Sequence, residues 1–349
     1  MFGNLFSANE INLERNFEWD FIKVISIICM ILSHCVDYGY LDTILGDNIT
    51  YFFSYFLGGP LSAPVFMFCM GLGMLYTRHN TPKDFIKRGV YLLIIGFILN
   101  LILFILALII AELYLPIIYG DDILIFAGIT FIIFGLFKKL KLNHIHILII
   151  AIILSIISTI IPIITIENPI LAQLVCYFFP VYNTECYFPL FNWILFPASA
   201  YFFAYYFKRC NNIKKLYTLL LPLFIICMPI IIYQFINYTG IFIGTECYGI
   251  YFMSFYNNIV CIGLTLSLIA IAYFLSPYIP KKEAIIKSSK NITNIYFAQY
   301  IIIFTIPRIL VLLGLINNIL IAFVLILIIM GLSFYIGNNF IKLKIPYFS

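Results

Sequence analysis

Ten stretches of about twenty apolar residues run through this chain from end to end, and no polar segment between them is long enough to fold alone. A hydrocarbon core about 30 Å thick needs about 20 apolar residues per helix. Only elements that satisfy their own backbone hydrogen bonds can sit in it. Of the 349 residues, 64% are hydrophobic and 10% are charged, whereas a soluble domain carries about 25% charge. The expected fold is therefore all-α: a polytopic membrane protein of about ten transmembrane helices. It is expected to form one integral-membrane domain over residues 1–349, multi-pass in the cell membrane. The spans fall near 18–38, 61–78, 89–115, 121–137, 145–165, 187–207, 216–237, 256–277, 292–312 and 317–340. The long third span is expected to tilt or kink. "ILAQLVCYFFP" at 170–180 reads as a re-entrant piece or a partial eleventh span. The N-terminal "MFGNLFSANEINLERNFEW" is polar and acidic and lacks the basic start and cleavage site of a signal peptide, so the first span is expected to remain as a helix.

The basic residues orient these spans. Arg15 precedes span 1, and Arg78, Lys83, Lys87 and Arg88 lie between spans 2 and 3. Lys138, Lys139 and Lys141 follow span 4, and Lys208, Arg209, Lys214 and Lys215 follow span 6. Lys281, Lys282, Lys287 and Lys290 follow span 8, and Lys342 and Lys344 close the chain. With both termini inside, all of these are cytoplasmic, as the positive-inside rule requires. Only Lys23 and Arg308 of the 20 basic residues remain within spans. The net charge of +5 thus follows membrane topology, and no nucleic-acid partner is expected. The outer side receives 38–60, 116–121, 166–186, 238–255 and the turn at 313–316, with "TECY" at both 184–187 and 245–248. Nine cysteines form no C-x-x-C pair or Cys/His cluster, so no metal site is expected. Cys186 and Cys247 face the outside and are candidates for a disulfide, with Cys176 as a competitor.

Span 1, "WDFIKVISIICMILSHC", carries Asp20, Lys23 and His34, and Asp37 follows it. A charge near a bilayer centre costs a few kcal/mol even on insertion scales of about 2.5–3.5 kcal/mol. Lys23 and His34 are eleven residues apart, close to three helical turns, so they share a face roughly 16 Å apart along the axis. Asp20, Ser26, Met30, Ser33 and Asp37 fall on or near that face at three- and four-residue steps. Singly, Lys23 reads as a residue that snorkels to the inner headgroups, and His34 as a packed interfacial side chain. Together they form a polar line from the cytoplasmic end to the outer end, and intramembrane ionisable groups default to a functional reading. Asp20 is expected to pair with Lys23 at i,i+3.

"DFIKVISIICMILSH" resembles the first helix of the acyltransferase family 3 proteins, whose pattern is Asp-x-x-Arg, ten residues, then His. Here Lys23 stands for the Arg, which keeps the charge and loses the planar fork. "GGPLSAPVFMFCMGLGM" (58–74) resembles the family's second helix through Pro64, Phe66, Phe68, Gly71 and Gly73. It also resembles the heparan-α-glucosaminide N-acetyltransferase branch of the superfamily, as does "CYFPLFNWILFPASAYFFAYYFKR" (186–209) through Pro189 and Trp193. The resemblance implies transfer of an acyl group, usually acetyl, from cytoplasmic acyl-CoA to a hydroxyl or amine of an extracytoplasmic carbohydrate or glycolipid. Acetyl-CoA would then be the donor, with its phosphates near Lys23, Asp20 and Arg88 and its thioester reaching toward His34. His34 is the candidate general base, with Asp37 to orient the imidazole. Asn100, Asn192, Gln299 and Tyr300 are candidate oxyanion donors. Direct transfer and an acyl-histidine intermediate both fit, as do a monomer and a homodimer.

Other polar residues carry plainer expectations. Arg308 is read as binding an anionic acceptor or lipid headgroup, or as pairing with an outer carboxylate. Asp121 and Asp122 are read as helix-capping residues, and His79, His144 and His146 as surface residues. A proton-coupled transporter or a lipid or glycan flippase is the main rival, since an Asp, Lys and His stripe also suits a proton relay. No inverted repeat or pair of broken helices supports it. A structural or sensory membrane protein leaves the shared face of Lys23 and His34 unexplained.

Overall fold

The computed structural model describes residues 5–109, 120, 122–161, 163–182, 187–237, 242–243 and 252–343. Its main helices are α1 (Phe17–Asp37), α2 (Ala63–Tyr76), α3 (Pro82–Ile109), α4 (Ile123–Lys139), α5 (His144–Ile160) and α6 (Leu195–Phe207). They continue as α7 (Ile213–Ile236), α8 (Phe255–Leu275), α9 (Lys282–Lys290), α10 (Ile292–Leu312) and α11 (Ile319–Asn339). A two-residue antiparallel ladder, Phe242–Ile243 with Phe252–Met253, is a minor addition to this all-helical architecture.

Among the described residues a helix lies within each of the ten expected stretches, and six of the helices are long and apolar enough to cross a membrane. α2 is short because the chain before it is irregular. π-helical turns at Phe52–Leu57 run into Gly58, Gly59 and Pro60, and Pro64 then sits in the first turn of α2. In α7 the chain is interrupted at Leu221, between Ile213–Leu220 and Pro222–Ile236. Proline at a helix start has no N–H to lose. The 170–180 stretch is a single short helix, Pro169–Cys176, seated on a satellite cluster of Ala172, Cys176 and Val181. The end of the third expected span, the 184–186 and 245–248 parts of the TECY segments, and hence Cys186 and Cys247, lie outside the described residues.

Two pairings position the site. α3 and α4 form an antiparallel hairpin packed through glycines seven residues apart on each helix. A Cβ on Gly89 would come within 2.6 Å of Gly128 O, one on Gly96 within 2.8 Å of Ile125, and one on Gly135 within 2.8 Å of Ile86. Small residues let backbones approach where lipid supplies no hydrophobic drive between helices. Gly71 on α2 does the same against Pro197 and Ala200 of α6, whereas Gly73 meets nothing.

The second pairing sets α1 beside α9 and α10. Lys23 meets Ser289, His34 meets Gln299 and Tyr300, and Tyr38 meets Arg308. Partner numbers rise together, so α1 and α10 run parallel. Their C-terminal ends approach at Gly39, whose added Cβ would lie 3.2 Å from Pro307.

The basic loops gather at one end of the bundle. The N-terminal segment is strapped along Lys208–Asn211, with Ser7 N–H donating to Arg209 O and Asn211 N–H to Leu5 O. Glu10 pairs with Lys208 at 3.4 Å and Arg209 at 3.1 Å. Tyr76 donates to Asn12 O, Lys138 bonds Asn80, and Lys287 bonds Asn339. His144 is no simple surface residue: its ring stacks on Tyr205 at 3.5 Å, with the Arg209 guanidinium also over Tyr205 at 3.8 Å.

Candidate active site

The helical face predicted for α1 is present, and its neighbours are now defined. At its basic end, Asp20 does not pair with Lys23. Its carboxylate is held by the Arg15 guanidinium through two bonds of 2.5 and 2.7 Å, and by the Ser289 hydroxyl at 2.6 Å. Arg15 wins because its fork matches a carboxylate with two parallel bonds, which an ammonium cannot do. Lys23 instead donates to the Ser289 carbonyl at 3.0 Å, near the C-terminus of α9, where the helix dipole favours a cation. The ammonium has three donors, so this bond leaves capacity for an anion. Arg15, Asp20 and Arg88 are all within electrostatic reach of it. Arg88 is buried, with its guanidinium 4.3 Å above the Phe131 ring of α4.

At the other end, Gln299 Nε2 lies 3.3 Å from His34 Nδ1 and the Tyr300 hydroxyl 3.5 Å from Nε2. Both contacts are long, as is common where catalytic bonds tighten only with substrate bound. The Tyr300 ring lies 4.7 Å from the imidazole and the Tyr38 ring 5.2 Å from it. Gln299 and Tyr300 are thus the two of the four oxyanion candidates that reach the histidine. Asn192 is spent on the backbone of Met253, accepting its N–H at 3.0 Å and donating to its carbonyl. Asn100 donates to Gly120 O at 2.9 Å. The Oε1 atom of Gln299 is buried and makes no hydrogen bond.

Asp37 does not touch the imidazole. Its carboxylate accepts from Ser33 at 2.9 Å and from Ser54 in the π-helical turns. Three residues of helix carry it past the ring, and two hydroxyls satisfy it there. Lys23 and His34 are half-buried and Asp37 is exposed.

Arg308 is buried, donates to Tyr38 O at 2.6 Å, and lies over the rings of Phe304 and Tyr40 at 4.2 and 4.6 Å. The structure thus engages it with the C-terminal end of α1. Asp122 occupies the N-cap position of α4, but its carboxylate accepts from the Tyr296 hydroxyl of α10. Tyr296 precedes Tyr300 by one turn, so α4 begins near the level of His34. Sequence reading missed Tyr296 altogether. Its one signal was a four-residue step from Tyr300 on an otherwise apolar helix. Among the described residues no group of three His, Cys, Asp or Glu side chains is placed to hold a metal ion.

Fold and site together define a helical membrane protein with a polar, histidine-bearing face along its first helix. The catalytic-domain model of heparan-alpha-glucosaminide N-acetyltransferase matches residues 15–224. The chain belongs to this family, and is a transmembrane acyltransferase of the acetyltransferase type. No curated protein and no solved structure gives a significant match. The matched region contains α1 to α6, whereas Gln299 and Tyr300 lie beyond it.

Proposed function

We propose that the protein moves an acetyl group from cytoplasmic acetyl-CoA to a hydroxyl or amine of an extracytoplasmic glycan or glycolipid, within a single membrane domain. The observation that carries this reading is the polar face of α1. A lysine with spare donors stands at the end shared by the basic loops, and a histidine flanked by an amide and a phenol stands three turns further on. An extended pantetheine arm is comparable in length to those three turns. The donor set fits its cargo: Lys23 and Arg88 suit phosphates, and the free Gln299 carbonyl suits an N–H of the bound substrate.

In this reading His34 removes the proton from the acceptor as its oxygen or nitrogen attacks the thioester carbonyl. The carbon–sulfur bond breaks, and the thiolate of CoA takes that proton back from the imidazolium. Gln299 is the nearest amide donor for the carbonyl oxygen. Asp37 shapes the outer mouth by holding Ser54, and lipid surrounds the rest of the bundle.

Binding of acetyl-CoA in detergent, combined with the acetylation state of surface glycans in cells with and without the protein, tests the reading. Binding together with a protein-dependent acetyl mark is expected. Transport of a solute or lipid without acetyl-CoA binding would replace the reading with the transporter or flippase. The proposed orientation has its own test, in a background lacking Cys186 and Cys247. An impermeant thiol reagent applied to intact cells should label Glu167→Cys and spare Glu283→Cys, both at exposed positions.

A further inference from the structure

The side-chain amide of Gln299 has its hydrogen bonding half made. Gln299 is 0% exposed, and its Nε2 faces Nδ1 of His34 at 3.3 Å. Among the described residues, Oε1 at the other end of the same amide is buried and meets no donor. Asn192, by contrast, spends both ends of its amide on the backbone of Met253. A buried acceptor is costly to leave unmatched, and a native fold that keeps one beside an ionisable group marks a place for a bound partner.

The placement of Gln299 limits what that partner can be. α10 begins just after Ser289, where Lys23 donates to the Ser289 carbonyl, and runs parallel to α1. Helical side chains lean toward the N-terminus of their own helix, so Gln299 leans back toward the Lys23 end. A donor arriving from that end brings its groups past Gln299 in a fixed order. The acetyl group and the thioester carry no N–H or O–H. The first donor behind them is the pantetheine amide, separated from the sulfur by two methylenes. The acceptor comes from the opposite end, and the proton at its reacting atom is taken by the imidazole.

We infer that Gln299 Oε1 receives the N–H of the pantetheine amide nearest the sulfur, which makes Gln299 the residue that sets the thioester beside His34. The inference rests on the acyl-transfer reading and names the ligand group that completes the amide. One side chain then faces the base through Nε2 and holds the donor through Oε1. The thioester is kept within a few bonds of the imidazole, and an arm without this N–H is selected against.

The test is a binding titration on the full-length protein in detergent. CoA is the probe, because it carries the same arm and undergoes no turnover. Two analogues are compared with it, each with –CH2– in place of the –NH– of one pantetheine amide. Wild type should bind the analogue altered at the amide nearest the sulfur about tenfold more weakly than CoA, the loss of one hydrogen bond. Gln299→Met keeps the length of the side chain without its carbonyl, and should bind CoA and that analogue alike. The gap for the other analogue should be the same in Gln299→Met as in wild type. Gln299→Leu repeats the comparison should the Met variant not fold, and the wild-type titrations decide the matter without any variant. Equal wild-type affinity for CoA and the first analogue, a gap confined to the second analogue, or a first-analogue gap that persists in Gln299→Met would overturn the inference. A wild type that binds no CoA would instead remove the acyl-transfer reading beneath it.

Discussion

The α3–α4 hairpin and the α1–α10 pair solve the same problem, that of holding two helices together where lipid gives no hydrophobic drive, in opposite ways. The hairpin uses four glycines that bring the two backbones together, with Phe85 against Phe131 and the Arg88 guanidinium over the Phe131 ring beside them. The parallel pair is joined by Lys23 with Ser289, His34 with Gln299 and Tyr300, and Tyr38 with Arg308. Close packing supplies stability through many small contacts. Polar joints are costly to leave unmade, and they are retained where a ligand must enter. The hairpin is the scaffold, and it also delivers Asp122 at its turn-side end to the polar pair.

Substitutions that separate chemistry from packing break this comparison most sharply. His34→Gln keeps polarity and approximate size but removes the base. Acetyl transfer should fall by about 10²–10⁴-fold, while acetyl-CoA binding and the thermal midpoint stay near wild type. Wild-type turnover in this variant would mean that the imidazole is not the base. Gly135→Val should do the reverse. Its Cβ would come within 2.8 Å of Ile86 and 3.0 Å of Pro82 O, and overpacking costs about 1–3 kcal/mol. The melting temperature should drop, while the activity per folded molecule is retained. A stable but inactive Gly135→Val would show that the hairpin does more than support the site.

Lys23 tests the basic end of the polar pair, with a smaller expected effect. Lys23→Ala removes a charged donor, and hydrogen bonds to charged groups contribute about 1.5–3 kcal/mol, so acetyl-CoA affinity should fall by about tenfold or more. Lys23→Arg should retain much of it. Equal affinity for wild type and Lys23→Ala in a titration would reduce the residue to an anchor of α9.

How much of this was legible in the sequence depended on range. The Lys23–His34 face follows from helical period alone, which is local, and the structure keeps it. The partners of that face are not local. Asp20 has Lys23 three residues away, but Arg15 offers a better-shaped donor and takes it. Asp122 looks like a cap because it precedes a helix. Its actual donor, Tyr296, lies 174 residues away and is set by how the α3–α4 hairpin docks on α10. The heptad-spaced glycines were equally visible, but no periodicity names the helix that will lie against them. Hydropathy located the helices, and α2, expected over 61–78, runs over Ala63–Tyr76, two residues shorter at each end.

The smallest expected effect concerns a carboxylate that stands beside the base without touching it. Asp37 lies three residues from His34 and was the natural candidate to orient it. In the structure its oxygens are taken by Ser33 and Ser54, and the imidazole is served from the opposite direction by Tyr300. Asp37→Asn keeps the shape and one carbonyl acceptor, so one of the two serine bonds can survive. A neutral hydrogen bond contributes about 0.5–1.5 kcal/mol net, so the expected loss in acetyl transfer is no more than about tenfold. That loss should come through looser seating of the π-helical turns at Phe52–Leu57, and so through KM for the acceptor. If Asp37→Asn instead lowers kcat with the acceptor KM unchanged, Asp37 reaches the imidazole during turnover and orients it as its place in the sequence suggested.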